Sequence, residues 1–256
     1  MSTKASTVSV VLIVWLVAFI PSLLQSSRLQ AQSKNDGKGA HFTWDTINGD
    51  WEIKKTTAGK SYLYQSRIRA IPTGYSELIN YNSIITVKPV ERHTRIGFTL
   101  YLTKPGGKPV EALLVFAAKD FRNLHAFKFT GDSKRLTKIA LISSKVNKPE
   151  LPKSVKWNYT ITELATSAHR LNFNTEYQIA IETAGGRATL YVNGSRIMQH
   201  DTGADLQSGM VGFCCQNTQM AIGEFSASDG TAIMLHDDFT TESIKRHRVI
   251  ATPVEK

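Results

Sequence analysis

Six side chains have the types that recognise sugars. They are Arg95, Tyr101, His125, Lys128, Trp157 and Tyr159. Aromatic rings offer flat apolar faces to the C–H side of a pyranose, while guanidinium, imidazole and ammonium groups donate hydrogen bonds to its hydroxyls. A second group, His236-Asp237-Asp238, combines imidazole with two carboxylates, a set suited to Ca²⁺ or another divalent ion and equally explained as the polar end of a strand. Nucleophile and phosphate chemistry have no counterpart. The G-x-S-x-G elbow, the H-E-x-x-H zinc motif and the P-loop are all missing from the chain.

Strands must carry these residues. Between Thr175 and Ser228, Tyr177, Ile179 and Ile181 alternate with Gln178, Ala180 and Glu182. Gly185-Gly186 and Asn193-Gly194 then supply two-residue turns around Leu190 and Val192. Upstream, Ile96, Phe98, Leu100 and Leu102 alternate with Arg95, Gly97, Thr99 and Tyr101. Ala112 to Ala117 is apolar on both faces, which predicts a central strand. His125, Phe127 and Phe129 share one strand face, with Leu124, Ala126 and Lys128 on the other. Further strands are expected at Ser83 to Val90, Leu136 to Ser143, after Trp157, and at Ala232 to Phe239. Asp120 and Asn123 read as turn formers, and Trp51, beside Ile53, as core. No long helical period follows the N-terminal segment, so the fold class is all-β: an antiparallel β-sandwich, or jelly roll, preceded by a signal peptide.

Several stretches resemble known domains. The order strand, turn, YVNG hairpin, short loop, GMVGF and a last strand ending EFSAS is similar to the C-terminal half of concanavalin A-like lectin/glucanase domains. Trp44 followed by Gly49-Asp50-Trp51 and a charged strand resembles the opening of family 16-like and 3-keto-disaccharide hydrolase sandwiches. The "apolar strand, D-x-x-N, aromatic strand" run through Asp120 and Asn123 is similar to the middle of LamG-like domains. The resemblance implies a jelly-roll sandwich with a polysaccharide or other glycan as ligand. Family 16 glucanases aim two glutamates and an aspartate into a cleft by E-x-D-x-E spacing, and no Glu here stands two residues before an Asp. The segment associated with the keto-disaccharide hydrolases is echoed only by Asn82-Ser83-Ile84-Ile85, so no catalytic residue carries over.

The ends set location and partners. Lys4, the apolar run Val10 to Ile20, the break at Pro21-Ser22 and Leu29-Gln30-Ala31 describe a signal peptide over 1–31. Residues 32–40 read as a flexible leader, 41–240 as the sandwich and 241–256 as a basic C-terminal tail. This predicts a secreted or periplasmic protein. The other reading is an uncleaved anchor over Val8 to Leu24, and only then is a membrane a partner. The net charge is +10, and loss of Lys4 and Arg28 with the signal leaves +8. A basic exported surface suits acidic polysaccharides, although its lysines and arginines are dispersed and also serve solubility. Export and the lack of a basic helix or aromatic RNA-binding motif argue against nucleic acid. Asn158 and Asn193 each open a glycosylation sequon. Cys214 and Cys215 are the only cysteines, and being adjacent they point to opposite faces of a strand, which predicts two separate buried thiols.

Three functions fit these residues: a secreted glycan-binding sandwich, possible ligands of which include acidic polysaccharides; a glycoside hydrolase or lyase acting on oligosaccharides; and an envelope or adhesion protein that binds other proteins. Fold alone does not choose among them.

Overall fold

Alternation and turn chemistry resolve into strands throughout the computed structural model, which describes residues 43–66, 81–103, 106, 109–120, 122–147, 159–239 and 244–245. One sheet contains β1 (Trp44–Asn48), β4 (Asn82–Thr86), β6 (Val110–Ala118), β7 (Leu124–Gly131), β8 (Arg135–Val146), β9 (Tyr159–Ser167), β10 (Leu171–Asn172), β14 (Met210–Gln216) and β17 (Ile244–Lys245). The other contains β2 (Trp51–Lys55), β3 (Ser61–Gln65), β5 (Arg95–Leu102), β11 (Glu176–Ala184), β12 (Arg187–Val192), β13 (Ser195–Asp201), β15 (Met220–Ser228) and β16 (Ile233–Asp237). We call them sheets A and B. The described residues contain no helix.

Sheet A runs β10-β8-β7-β6-β14-β4-β1-β17, with β9 also on β8. Sheet B runs β13-β12-β11-β5-β15-β3-β2, with β16 on β15. The chain crosses between sheets after β1, β3, β4, β5, β10, β13, β14 and β16, as expected of a jelly roll. Every pairing is antiparallel except the short β1–β17 contact, where Trp44 lies beside Ile244 in parallel register. The two glycine turns work as expected, with φ of 55° and 83° at Gly185 and Gly186, and 50° and 78° at Asn193 and Gly194. These positive values are those of primed hairpin turns.

The inner faces meet around Trp44, Phe98, Leu114, Phe116, Phe127, Phe129, Phe213 and Phe225, all closed to solvent or nearly so. Trp44 is the hub, with its ring 5.2 Å from that of Phe225 and 5.5 Å from that of Phe213. Trp51 is core, as expected. The outer face of sheet A carries a second buried apolar cluster, including Ile85, Leu113, Val115, Ala126 and Ile142. This is why β6 reads as apolar on both faces: it is central, with β7 on one side and β14 on the other.

Strand limits differ from expectation where the chain turns. The strand expected to run from Ser83 to Val90 ends at Thr86, whose hydroxyl donates to the Lys88 carbonyl at 2.8 Å. Pro89 has no N–H for a ladder, and Val90 makes only an isolated bridge to Gly209. Just beyond, His93 is fully buried, with Nδ1 3.0 Å from the Val90 carbonyl. The Asp120–Asn123 turn forms as expected, with Asp120 Oδ1 accepting from the amides of Arg122 at 2.7 Å and Asn123 at 2.9 Å. Cys214 and Cys215 form no disulfide and are buried on opposite faces of β14.

Candidate functional site

Period-2 alternation leaves one polar face on sheet B, and the sheet register orders it into rows. In one row Arg196 and Tyr191 precede Ala180, Gly97, Ser226 and His236. The next places Gln178 and Thr99 beside Gly223. A third places Glu176, Tyr101, Ala221, Tyr64 and Glu52 side by side. The middle of this face is therefore a floor of small residues: Ala180, Gly97, Ser226, Gly223 and Ala221. Tyrosines stand around it, since Tyr62, Tyr64, Tyr101 and Tyr191 are all half-buried.

Two glycines keep the floor low. A side chain at Gly97 would meet the Ser226 hydroxyl at 3.3 Å, and one at Gly223 would meet the Tyr62 ring at 3.0 Å. Tyr62 thus leans across β15, and its hydroxyl donates to Glu176 at 2.8 Å. Burial and then this carboxylate push the Tyr62 phenol up to about 12. Lys60 closes on the same carboxylate at 3.9 Å. At the opposite end Arg95 pairs with Glu182, and its guanidinium lies 6.0 Å from the centre of the Tyr191 ring. Burial, then a hydrogen bond with Glu182, raises the Tyr191 phenol. Lys54 sits 3.9 Å over the Tyr64 ring, and the Gln178 side chain donates to the Thr99 hydroxyl at 3.0 Å.

This arrangement can bind without reacting. Aromatic faces, two carboxylates, an amide and a guanidinium surround a floor that stays partly exposed at Gly97 and Ser226, and the planar polar groups can pair with a vicinal diol. The carboxylates of Glu176 and Glu182 are each engaged by a tyrosine and a cation, so they stand as acceptors rather than as a proton-shuttling pair.

The six residues singled out from the sequence do not share one surface. Arg95 and Tyr101 lie on this face of sheet B. Lys128 lies on the outer face of sheet A, 3.0 Å from Glu111, which also accepts from the hydroxyl of the buried Tyr81. Tyr159 opens β9 on that same outer face, but opposite Val146, whereas Lys128 stands opposite Ala140. Six residues of strand, about 20 Å, separate those positions. His125 is half-buried on the face of Phe127 and Phe129, at the end of β7. Trp157 and Asn158 fall outside the described residues. Tyr62, Tyr64, Tyr191, Glu176 and Glu182 were not singled out, although strict alternation in SYLYQ, EYQIAIET and ATLYVNG marks all of them as residues of one strand face.

Nor does the His236-Asp237-Asp238 set converge. Asp237 is buried and committed to structure, Oδ2 accepting from the Trp44 indole at 2.9 Å and Oδ1 from the Phe239 amide at 2.8 Å. Alternation turns His236 the other way, to the sheet B row opposite Ser226. Asp238 follows the strand and is exposed. Among the described residues no group of three His, Cys, Asp or Glu side chains is placed to hold a metal.

No family model and no curated protein sequence matches the chain. Solved structures similar to it are concanavalin A/galectin-like β-sandwiches. The carbohydrate-binding module CBM66 from Bacillus subtilis matches with 14% identity over 71% of this chain and 92% of its own, at a TM-score of 0.47. A Bacillus licheniformis β-glucanase matches with 12% identity over 73% and 91%, at 0.41. The alginate lyase AlyA1 from Zobellia galactanivorans matches with 11% identity over 71% and 79%, at 0.42. None of these likenesses assigns this chain a ligand.

Proposed function

We propose that this protein is an exported glycan-binding sandwich whose binding face is the outer face of sheet B. The observation that supports it is the small-residue floor through Gly97, Ala180, Ser226 and Gly223, ringed by four half-buried tyrosines and by Arg95, Glu176, Gln178 and Glu182. A sugar ring laid on that floor stacks on tyrosine while its hydroxyls pair with the planar groups. Export rests on the N-terminal segment, Lys4 followed by the apolar run to Ile20.

An acidic polysaccharide is the finer part of the proposal, and the net charge of +8 left once Lys4 and Arg28 are lost with the signal supports it. Positive charge of that size speeds encounter with an anionic polymer and does so less as salt rises. On the sheet B face itself charges balance: Lys54, Arg95, Arg187 and Arg196 stand with Glu52, Glu176, Glu182 and Asp201. That face selects by hydrogen bonding and stacking, and the charge acts from elsewhere.

The test is retention of the full chain on an array of neutral and acidic glycans at low and high salt, with the soluble phase examined for released sugar. The expected result is retention without release, lost in a Tyr101→Ala/Tyr191→Ala double variant. Release of sugar would make the protein an enzyme, and no retention on any glycan would overturn the proposal.

A further inference from the structure

Positive charge concentrates on the β7–β8 hairpin. From Arg122 to Asn147, Arg122, Lys128, Lys134, Arg135, Lys138 and Lys145 stand against a single acid, Asp132. Two of these cations are neutralised in place, Lys128 by Glu111 at 3.0 Å and Lys138 by Glu163 at 2.7 Å. At the open end of the hairpin the balance is different.

There His125 pairs across the sheet with Ala117 on β6 and with Ser143 on β8. Alternation then brings Lys119 and Lys145, each two residues beyond those partners, onto the face of His125 from either side. The Lys119 amide still bonds the Asn123 carbonyl at 2.9 Å, so the ladder register holds to that point. Among the described residues neither lysine makes an ion pair and the imidazole makes no hydrogen bond. The Ser143 hydroxyl is enclosed, the residue being only 5% exposed, and it has no hydrogen-bond partner. The nearest acid along the chain, Asp120, is occupied by the turn: Oδ1 takes the Arg122 and Asn123 amides, and Oδ2 takes the Asn123 side chain at 2.7 Å. Burial and then the Lys145 and Lys119 charges hold the His125 proton affinity below its usual value, so both ammonium groups are felt at the ring.

Among the described residues, two ammonium groups and an imidazole therefore share one face without a carboxylate among them, beside the enclosed Ser143 hydroxyl. Groups of this kind repel one another when the site is empty and are satisfied together by an oxyanion, which accepts charge-assisted hydrogen bonds from all of them. We propose that the cluster of Lys119, His125, Ser143 and Lys145 binds the acidic group of a glycan, a uronate carboxylate or a sulphate ester. The assignment of a glycan as the source of that group rests on the function proposed above. It supplies the charge discrimination that the balanced sheet B face lacks.

The experiment compares three probes with the full chain at constant pH and ionic strength: a neutral oligosaccharide, a uronate or sulphated oligosaccharide of similar size, and inorganic sulphate. The readouts are affinity and the ring resonances of His125. The acidic sugar is expected to bind about tenfold tighter than the neutral one and to shift the His125 ring. A Lys119→Ala/Lys145→Ala variant, altered only at exposed positions, should lose that preference while keeping neutral-sugar binding and its melting temperature. Ser143→Ala should weaken the preference as well. Equal binding of acidic and neutral sugars, or a preference that survives in the double lysine variant, would overturn this proposal and leave the glycan reading standing. A His125 shift with inorganic sulphate alone would overturn the glycan assignment of the site. Binding of no sugar at all would overturn both.

Discussion

Tyr62 holds its proton up to about 12, first because it is partly buried and then because Glu176 accepts its hydrogen bond. At any ordinary pH it is a neutral donor lying over Gly223, and its ring defines one wall of the floor. Tyr191 defines the opposite wall. Replacing Tyr191 by Ala removes a stacking face worth about 1 kcal/mol, so glycan affinity should fall about fivefold by calorimetry with little change in melting temperature. Asp237 plays a structural part instead. Asp237→Ala leaves the buried Trp44 indole N–H and the Phe239 amide without their acceptor. The cost should be about 2 kcal/mol, read as a fall of about 4–8 °C in a thermal melt. An unchanged melting temperature would show that the indole bond contributes nothing.

Glycine decides how closely elements approach. Gly131 ends β7 where the β7–β8 register shifts, and a Cβ there would lie 2.1 Å from the Arg135 carbonyl oxygen. Gly131→Ala must therefore move the hairpin backbone and should cost at least about 2 kcal/mol in a denaturant titration. The elements themselves were legible in the sequence. Arg95 to Leu102 alternates without a fault and is a strand over just those residues. Gly185-Gly186 and Asn193-Gly194 announce their turns. Partnership between elements was not legible. Tyr62 and Tyr191 face one floor because sheet B runs β12-β11-β5-β15-β3, an order that no local pattern in β3 or β12 contains. The same gap explains the scatter of the six chosen residues: alternation says that Lys128 and His125 point oppositely, but not which sheet either serves. Asp237 looked like a ligand because nothing near it in sequence reveals Trp44, a partner 193 positions away.

The whole molecule should be sensitive to acid. Burial lowers the proton affinity of His93 and of His125 from an ordinary value of 6.5. Both are therefore held neutral in the folded chain at pH values where an unfolded chain already protonates them. Stability from this source is full above 6.5, falls as the pH drops below it, and levels off once the folded imidazoles also take up protons. Denaturant titrations across that range should show the decline, and His93→Gln should flatten it. No disulfide compensates, since the chain's two cysteines are not bonded to each other.

The parallel contact of β17 with β1 sets the last strand beside the first, about 4.8 Å away across the sheet. Chain order and spatial order are thereby uncoupled at that seam. Because the two strands run parallel, a crossover linker of about a dozen residues from Lys245 back to Trp44, with new ends opened at the Gly185-Gly186 turn, would make a circular permutant of the same sandwich.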